Sequence, residues 1–259
     1  MSYSLNGVLS LLYILFIGIS SSFLFCGAVL VRLLCIPFDP KLVSLHLYSS
    51  FWASLYIWCM PLWSVTILGR EKICSGKSYV MVSNHQSNLD IIVLYRLFAP
   101  FRWVSKAEVF LLPFIGWNMS LNGYVKLKRG DKASAEKMMQ ECRRLLAGEI
   151  SVFFFPEGTR SPTGLMRPFK PGAFILAKES KKPILPIVVN HTKNALPKHS
   201  LEFHGRHRME VKVLDEIPYD RFAHVPAEDL AEQVRDLIAS HVAEHRPARV
   251  PFADGTIRA

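Results

Sequence analysis

The stretch Asn84-His85-Gln86-Ser87-Asn88-Leu89-Asp90 lies between a strand-like run, Tyr79-Val80-Met81-Val82, and the apolar run Ile91-Ile92-Val93-Leu94. A buried strand that ends in a polar loop and continues into a helix is the repeating unit of α/β folds. Ser87 and Asn88 are both suited to cap that helix, because their side chains accept hydrogen bonds from free backbone amides. The stretch therefore predicts a strand-to-helix junction in an α/β domain.

His85 and Asp90 are five residues apart in this junction. On one continuous helix their side chains would turn away from each other, since neighbours on a helix surface are three or four residues apart. With His85 on the loop and Asp90 in the first helical turn, the loop folds the imidazole back over the carboxylate. The carboxylate then holds one ring nitrogen and leaves the other free to accept a proton from a hydroxyl group. A structural hydrogen-bond pair is the competing interpretation.

A second segment, Gly123-Tyr124-Val125-Lys126-Leu127-Lys128-Arg129, alternates with the period of a strand. Arg129 ends the more apolar face, at the point where the strand leaves the sheet. There its guanidinium group is suited to hold a phosphate with two parallel hydrogen bonds. A half-exposed strand with a solvated basic face explains the same pattern without any ligand.

A third segment, Phe153-Phe154-Phe155-Pro156-Glu157-Gly158-Thr159-Arg160-Ser161, is an aromatic strand followed by a polar loop. Gly158 allows a tight turn and a close approach of a ligand. Thr159, Ser161 and the loop amides donate hydrogen bonds, and Arg160 adds a positive charge, as a cradle for a phosphate or an oxyanion requires. The glycine spacing is not that of a P-loop. An ordinary strand-ending turn is the alternative.

The apolar run Ile184-Leu185-Pro186-Ile187-Val188-Val189 completes the pattern as a core strand. In this order, the four segments resemble the motifs of the glycerolipid acyltransferase family, which includes 1-acyl-glycerol-3-phosphate acyltransferases. That family shows His-four residues-Asp, then Gly-five residues-Arg, then Phe-Pro-Glu-Gly-Thr-Arg-Ser, then a strand with a proline. The resemblance covers residues 78–189 well. Asn88, where an aromatic residue is common, and Lys128, where Asp or Asn is common, depart from it.

The resemblance implies a role for each matching residue. His85 is expected to be the general base on the acceptor hydroxyl, and Asp90 its partner. The expected site for the acceptor phosphate consists of Lys106, Gly123, Arg129, Glu157, Gly158, Thr159, Arg160 and Ser161.

The reaction that this implies moves a fatty acyl group from acyl-CoA or acyl carrier protein to the free hydroxyl of 1-acyl-glycerol-3-phosphate, giving phosphatidate. We expect direct transfer without an acyl-enzyme, and no cofactor beyond the thioester co-substrate. The sequence contains no Gly-x-Ser-x-Gly elbow, which argues against an α/β-hydrolase. Another lyso-lipid acceptor, such as a lyso-aminolipid or a lysophospholipid, remains open. So do a non-catalytic membrane protein that binds anionic lipid, and a lipid hydrolase.

Two apolar segments precede the motifs. Residues 8–31 carry no charge, and as a helix they would be about 36 Å long, enough to cross a bilayer core of about 30 Å. Residues 42–68 are also free of Asp, Glu, Lys and Arg, and they contain three tryptophans, which prefer the membrane interface. We therefore predict a two-helix membrane anchor over residues 1–69. The helices either span the bilayer or form a hairpin in one leaflet.

The basic residues Arg70, Lys72 and Lys77 follow the second apolar segment directly. This favours a catalytic domain on the cytoplasmic side of the membrane, which is the inner membrane if the source is bacterial. Of the formal net charge of +10, residues 1–69 carry +1 and the remaining residues +9. A basic domain beside a membrane suits anionic lipid headgroups, phosphorylated substrates and an acidic carrier protein. No motif for nucleic acid is present.

The cysteines and histidines give no metal signature. The five cysteines are scattered and odd in number, as expected for reduced thiols in a protein that faces the cytoplasm. His199, His204 and His207 cluster loosely, but no cysteine or carboxylate completes a site, so we predict no metal.

The segments after the anchor alternate between strand-like and helix-like patterns. They predict a mixed central sheet flanked by helices over residues 70–245, and a loose tail over residues 246–259. The predicted strands are residues 78–83, 124–128, 151–155, 184–190 and 208–213. The predicted helices are residues 88–97, 132–146, 173–180 and 227–245.

Overall fold

The fold is built on a seven-stranded sheet, seen in a computed structural model that describes residues 5–160, 165–196 and 205–243. The strands lie side by side in the order β1-β7-β6-β2-β5-β3-β4. Five of them, β6, β2, β5, β3 and β4, are parallel, while β7 is antiparallel to β6 and β1 is parallel to β7. The strands are β1 (Trp63–Leu68), β2 (Val80–Ser83), β3 (Phe101–Lys106), β4 (Val125–Leu127), β5 (Ser151–Phe154), β6 (Ile184–Asn190) and β7 (His207–Val213).

Helices cover both faces of the sheet. On one face, α2 and α3 pack on Met81, Phe153 and Leu185; on the other, α5, α6 and α8 pack on Val80, Val152 and Ile184. Because successive strand residues point to opposite faces, every residue of β2, β5 and β6 is buried, as expected for central parallel strands. The helices are α1 (Leu5–Cys35), α2 (Val43–Trp58), α3 (Leu89–Tyr95), α4 (Ile115–Leu121), α5 (Lys132–Ala147), α6 (Gly172–Glu179), α7 (Thr192–Ala195) and α8 (Ala227–Ala239).

The predicted fold class, a mixed sheet flanked by helices with an apolar helical element at the N-terminus, is confirmed. The five predicted strands and the first three predicted helices agree with the structure to within two residues. The last predicted helix, 227–245, ends at Ala239. The predicted tail over residues 246–259 lies outside the described residues.

The predicted anchor over residues 1–69 extends too far. Its last residues form β1, which pairs in parallel with β7 at the edge of the sheet. Trp63, Val65 and Ile67 pack against the core cluster of α2 and α3, while Ser64 and Thr66 are exposed. This alternation is the pattern of an amphipathic strand. No charged residue separates the strand from the apolar helix before it, so the prediction assigned both to the anchor. The sheet domain therefore begins near residue 63.

The first apolar segment forms α1, a candidate membrane element. Within the described residues, Ser10–Cys35 is the one helical segment long and apolar enough to cross a membrane, by length and composition only. The 16-residue α2 is shorter, and about half of its residues are buried. The two helices pack along each other: the Ser21 and Tyr56 hydroxyls are 2.8 Å apart, and the Tyr48 hydroxyl donates to the Leu24 carbonyl at 3.0 Å.

A buried polar cluster joins α2 to the sheet domain. The Tyr124 hydroxyl lies 2.9 Å from Nδ1 of His46 and receives a hydrogen bond from the Tyr95 hydroxyl at 3.0 Å. His46 is fully buried, and its ring packs edge-on against Phe101. Burial lowers the pKa of His46 to about 3, and the neighbouring Arg102 guanidinium lowers it further in the same direction. The imidazole is therefore neutral in the folded chain at neutral pH.

This cluster predicts that the protein loses stability in mild acid. In the unfolded chain His46 binds a proton below about pH 6.5, whereas in the folded chain it binds one only below about pH 3. The free energy of unfolding therefore falls as the pH falls from 6.5 to about 3. The slope is about 1.4 kcal/mol per pH unit from this one group. We expect His46→Phe to remove that slope from the unfolding free energy measured in detergent micelles. An unchanged slope, equal to that of the exposed control His224→Gln, would contradict the prediction.

Candidate active site

The candidate site lies where the parallel strands end. In a parallel sheet the residues that follow the strands share one edge. His85 follows β2, Glu157 follows β5, Lys106 ends β3 and Arg129 follows β4. Because the strands are ordered β2-β5-β3-β4, these four residues lie along one edge over about 15 Å. The site that the sequence predicts is therefore assembled by strand order.

The predicted histidine–carboxylate pair is formed. Nδ1 of His85 lies 2.8 Å from Oδ2 of Asp90. His85 is on the loop, and Asp90 is in the first turn of α3. Asn88 occupies the cap position without a side-chain bond, while the Ser87 hydroxyl accepts from the Leu89 amide at 3.3 Å. Nε2 of His85 has no hydrogen bond to a described residue and is the nitrogen left to take a proton.

The Asp90 carboxylate is fully buried and surrounded by donors. Besides the His85 ring, Oδ2 accepts from the amides of Gln86 at 2.6 Å and Ser87 at 2.8 Å. The Thr192 hydroxyl, at the start of α7, donates to Oδ1. Both oxygens of the carboxylate therefore accept hydrogen bonds from neighbouring donors. Asp90 is therefore placed to hold His85 in one orientation and to stabilise a positive charge on its ring.

The loop that carries His85 is fixed on two sides. Asn84, fully buried, clamps the end of β2 to β6: its amide group donates to the Val189 carbonyl at 2.8 Å, and its oxygen accepts from the Val189 amide at 2.9 Å. The His85 ring stacks on Phe155, with centroids 4.1 Å apart and planes 18° apart. Phe155 in turn stacks on Trp103. The imidazole is thus held on a rigid aromatic surface.

Glu157 lies beneath this loop. It is buried, and its Oε1 accepts from the His85 amide at 2.7 Å, while its Oε2 accepts from the Arg167 amide at 3.0 Å. Burial raises the pKa of this carboxyl group, and the two backbone hydrogen bonds partly offset the rise. Both oxygens therefore bind backbone amides, whereas the resemblance implied a contact with phosphate. A carboxylate in this place supports the His85 loop and would repel an anion.

The side chain of Lys170 lies beside the glycine loop that follows β5. Gly158 has a φ of +71°, and a Cβ atom there would lie 3.1 Å from Cε and 3.2 Å from Nζ of Lys170. The Lys170 amide donates to the Pro156 carbonyl at 2.9 Å, which fixes this lysine beside the loop. Thr159 and Arg160 are half-buried in the same turn. Ser161, also predicted for this site, lies outside the described residues.

Two further predicted cations stand at the same edge. Lys106 is exposed and forms an ion pair with Glu108 at 3.3 Å. Arg129 is exposed two residues beyond the end of β4. Because β3 and β4 are paired in parallel, with Lys106 opposite Leu127, both residues lie at the edge of the sheet that carries the His85 loop.

Gly123 does not belong to this group. It precedes β4, so it lies at the opposite edge of the sheet from the residues that follow the strands. Its φ of +67° shows what requires a glycine there, namely the turn that leads from α4 into β4. A Cβ atom at this position would meet only Leu42 of the α1–α2 connection, at 3.9 Å. The prediction that Gly123 binds substrate is therefore corrected to a structural role.

An apolar cavity of about 120 Å³ lies next to the segment that carries Asp90. It lies between the N-terminal helices and α3, and Leu89, the neighbour of Asp90, lines it together with Trp63. The other lining residues are Tyr13, Ile17, Tyr56, Ile57, Asn88, Ile92 and Leu196. An acyl chain is the kind of group that such a surface accommodates.

Three residues of the site were not predicted. Thr192 and Asn84 act through tertiary hydrogen bonds to residues about a hundred positions away, and no local pattern signals such bonds. Lys170 lies in the run Pro168-Phe169-Lys170-Pro171, where a single basic residue is indistinguishable from a solvated one. Its place beside Gly158 depends on the backbone bond to Pro156.

The described part of the chain contains no group of three or more His, Cys, Asp or Glu side chains that could hold a metal ion. His199 and His204 of the loose histidine cluster lie outside that part. His207 begins β7.

Comparison with known proteins identifies the family of the chain. The family model described as Acyltransferase matches residues 64–190, which include the His85 loop and the glycine loop. An uncharacterized acyltransferase of Schizosaccharomyces pombe is 30% identical over 227 residues, covering 86% of this chain and 77% of that protein. The chain belongs to the acyltransferase family.

Other members of the acyltransferase family carry more specific names. A Chlamydomonas reinhardtii protein named 1-acyl-sn-glycerol-3-phosphate acyltransferase is 40% identical over 176 residues, 67% of this chain and 52% of that protein. A Saccharomyces cerevisiae protein of the same name is 36% identical over 185 residues, 70% of this chain and 60% of that protein. The chain thus spans about half the length of the algal relative.

The fold is shared with a solved structure, the 1-acyl-sn-glycerophosphate acyltransferase of Thermotoga maritima. The TM-score is 0.75, and the match covers 93% of this chain and 98% of that one at 23% identity. The similarity extends beyond the 64–190 core of the acyltransferase family to the N-terminal helices and β7.

Proposed function

We propose that this protein transfers a fatty acyl group from a thioester to the free hydroxyl of 1-acyl-glycerol-3-phosphate, giving phosphatidate. The observation that carries the proposal is the His85–Asp90 pair, with Nε2 unbonded among the described residues, at a sheet edge that also bears four cations. The names of the relatives support the same acceptor.

Neutral His85 acts as the general base. Its Nε2 takes the proton of the acceptor hydroxyl while the hydroxyl oxygen attacks the thioester carbonyl, and the new positive charge on the ring is stabilised by Asp90. The tetrahedral intermediate then collapses, the carbon–sulfur bond breaks, and the proton held on His85 passes to the leaving thiolate. No protein nucleophile is needed, so the acyl group never becomes bound to the enzyme.

The acceptor phosphate is held by cations along the edge on the β5–β3–β4 side of His85. Arg160 and Lys170 at the glycine loop are nearest in strand order, and Lys106 and Arg129 lie beyond them. Charge-assisted hydrogen bonds from such groups bind a phosphate monoester more strongly than a diester, since the monoester carries more negative charge. The phosphate is therefore expected to decide which acceptor is used.

Lys170 gives the sharpest test of the phosphate site. We expect Lys170→Met to raise KM for lysophosphatidate about tenfold, the effect of one charge-assisted hydrogen bond, with little change in kcat and none in KM for the thioester. The matched control, Lys137→Met on the exposed side of α5, should change neither constant. Steady-state kinetics with each substrate varied in turn provide the measurement. Equal KM values in the two variants would remove Lys170 from the site.

The membrane is proposed to hold the protein at α1. Large apolar side chains project from the face of α1 opposite to α2, among them Leu15, Ile19 and Phe23. Near its C-terminal half, Phe25 packs against Trp117 of α4, and exposed Leu111, Leu112, Ile115 and Trp117 extend the apolar surface. Because α1 lies along α2 on the domain, this surface favours insertion into one leaflet over a helix that projects away from the domain.

Acceptor selection tests the proposed function. Purified protein in vesicles receives a labelled acyl thioester with lysophosphatidate, with a lysophospholipid diester, or with monoacylglycerol. We expect labelled phosphatidate, and rates for the other two acceptors that are lower by at least about tenfold. Faster acylation of the diester would assign the protein to another lyso-lipid. Binding of lysophosphatidate without any acylated product would favour a lipid-binding protein.

A further inference from the structure

The candidate active site uses only part of the edge on which it lies. Since β7 and β1 run opposite to the parallel strands, their first residues reach the same edge as the ends of β2, β5, β3 and β4. His85 stands near the middle of this edge. The cations proposed for the acceptor phosphate lie on its β5–β3–β4 side. Arg206 and Arg208, at the start of β7, lie on its other side.

These two arginines line a groove of about 270 Å³ beside the turn that joins α2 to β1. The groove is held by backbone pairing: the His207 amide donates to the Leu62 carbonyl at 3.0 Å, and Ser64 is paired with Arg208. Because side chains two apart on a strand point the same way, Arg206 and Arg208 face the groove together. The remaining lining residues are Pro61, Leu62, Trp63 and Ser64.

The charge of the groove is not neutralised by the described part of the chain. Arg206 and Arg208 are both exposed, and neither guanidinium group forms an ion pair or a hydrogen bond with a described residue. The nearest acidic residue on the strand, Glu210, accepts a hydrogen bond from the Asn190 side chain at 3.0 Å. Two adjacent guanidinium groups without a carboxylate are suited to bind phosphate oxygens.

The groove is joined to the reaction centre through one side chain. Trp63 lines both this groove and the apolar cavity next to Asp90. In the sheet, β7 and β2 are separated only by β6, so they lie about 10 Å apart, and the pairing register places Arg208 about 10 Å farther along the strand direction than His85. The two backbones are therefore about 14 Å apart. An extended chain of a few amide units bridges such a distance.

We propose that the Arg206–Arg208 groove binds the phosphate of the phosphopantetheine arm that carries the acyl group, in coenzyme A or on a carrier protein. The inference rests on the proposed function, which brings two phosphorylated substrates to one base. The acceptor phosphate binds on the β5 side of His85, and the donor phosphate binds on the β7 side. The thioester carbonyl then lies at His85, between the two phosphates.

Binding of donor fragments tests the groove without any turnover. The probes are coenzyme A, dephospho-coenzyme A, 4′-phosphopantetheine and pantetheine, titrated into the full chain in detergent micelles. The variants are Arg206→Gln and Arg208→Gln, with Arg221→Gln as the control of equal charge change on an exposed turn. We expect each groove variant to weaken binding of the first three probes about tenfold, and binding of phosphate-free pantetheine not at all.

The outcomes distinguish coenzyme A from a carrier protein as the source of the phosphate, and the groove proposal from the proposed function. Holo carrier protein should show the same dependence on both arginines, and its apo form should not. Equal weakening in the Arg221 control, or weakening only for the 3′-phosphate of coenzyme A, would overturn the groove as the pantetheine phosphate site. So would a rise in KM for lysophosphatidate instead of the thioester. Arginine-dependent binding by a chain that transfers no acyl group would overturn the proposed function and leave the groove standing.

Discussion

Replacing His85 with alanine should lower kcat/KM for acyl transfer by about a thousandfold or more, within the range that a positioned general base contributes. The KM values for both substrates should change little, because His85 contacts the reacting hydroxyl and not the phosphates. Apart from the contact of Nδ1 with Asp90, the His85 ring forms no hydrogen bond with a described residue. The fold should therefore tolerate the loss of the ring. The measurement is steady-state kinetics on protein that still associates with vesicles.

A companion variant keeps this prediction falsifiable. His224 is exposed on the turn before α8. This turn follows the end of β7, where Ile217 pairs with Ile184 at the start of β6, so it lies at the opposite edge of the sheet, and His224→Ala should leave kcat/KM unchanged. Equal activity of wild type and His85→Ala would remove His85 from the mechanism. A loss of vesicle association in His85→Ala alone would show that the residue supports the structure and does not act as the base.

Replacing Asp90 with asparagine should lower kcat by about a hundredfold to ten-thousandfold. An amide group in this place donates to Nδ1 of His85, which moves the ring proton to Nε2 and blocks the nitrogen that must accept the hydroxyl proton. The same amide would also face the donating amides of Gln86 and Ser87. Part of the effect should therefore appear as reduced thermal stability, because a buried donor is left unpaired.

The two parts of the Asp90 effect are separated by a control at the start of α5. Asp131 accepts from the Ser134 amide at 3.0 Å as a helix cap, so Asp131→Asn tests the same chemical change away from the site. We expect it to retain full kcat with at most a small loss of stability. If Asp90→Asn lost stability but kept its kcat, the His85–Asp90 contact would be structural only.

The parts of the fold with strong local patterns were predictable. The strands at 184–190 and 151–155 and the helix at 132–146 have long apolar runs or helical spacing, and they were placed to within two residues. The edge strand Trp63–Leu68 was not predicted, because no charged residue separates its tryptophan and aliphatic residues from the apolar helix α2. Its partner β7 lies far along the chain, and pairing at that distance leaves no local signal.

The site was predictable where one loop holds both partners. His85 and Asp90 are close in sequence, so their contact follows from one strand-to-helix junction. The roles of Gly123 and Glu157 could not be predicted from the motifs, because a matching residue type does not show which groups the residue contacts in the fold. Gly123 serves a turn at the opposite edge, and both oxygens of Glu157 bind backbone amides. Thr192 completes the Asp90 site only through tertiary folding.

A rapid-quench experiment with a labelled acyl thioester tests whether the acyl group passes directly from donor to acceptor with His85 as the base. Protein in vesicles is mixed with the donor, with and without lysophosphatidate, and the label is followed in donor, protein, free fatty acid and phosphatidate. For direct transfer we expect that label passes from donor to phosphatidate in one phase, that this requires both lysophosphatidate and His85, and that label never appears on the protein. Label trapped on the protein, or released as free fatty acid at the same rate without the acceptor, would contradict it.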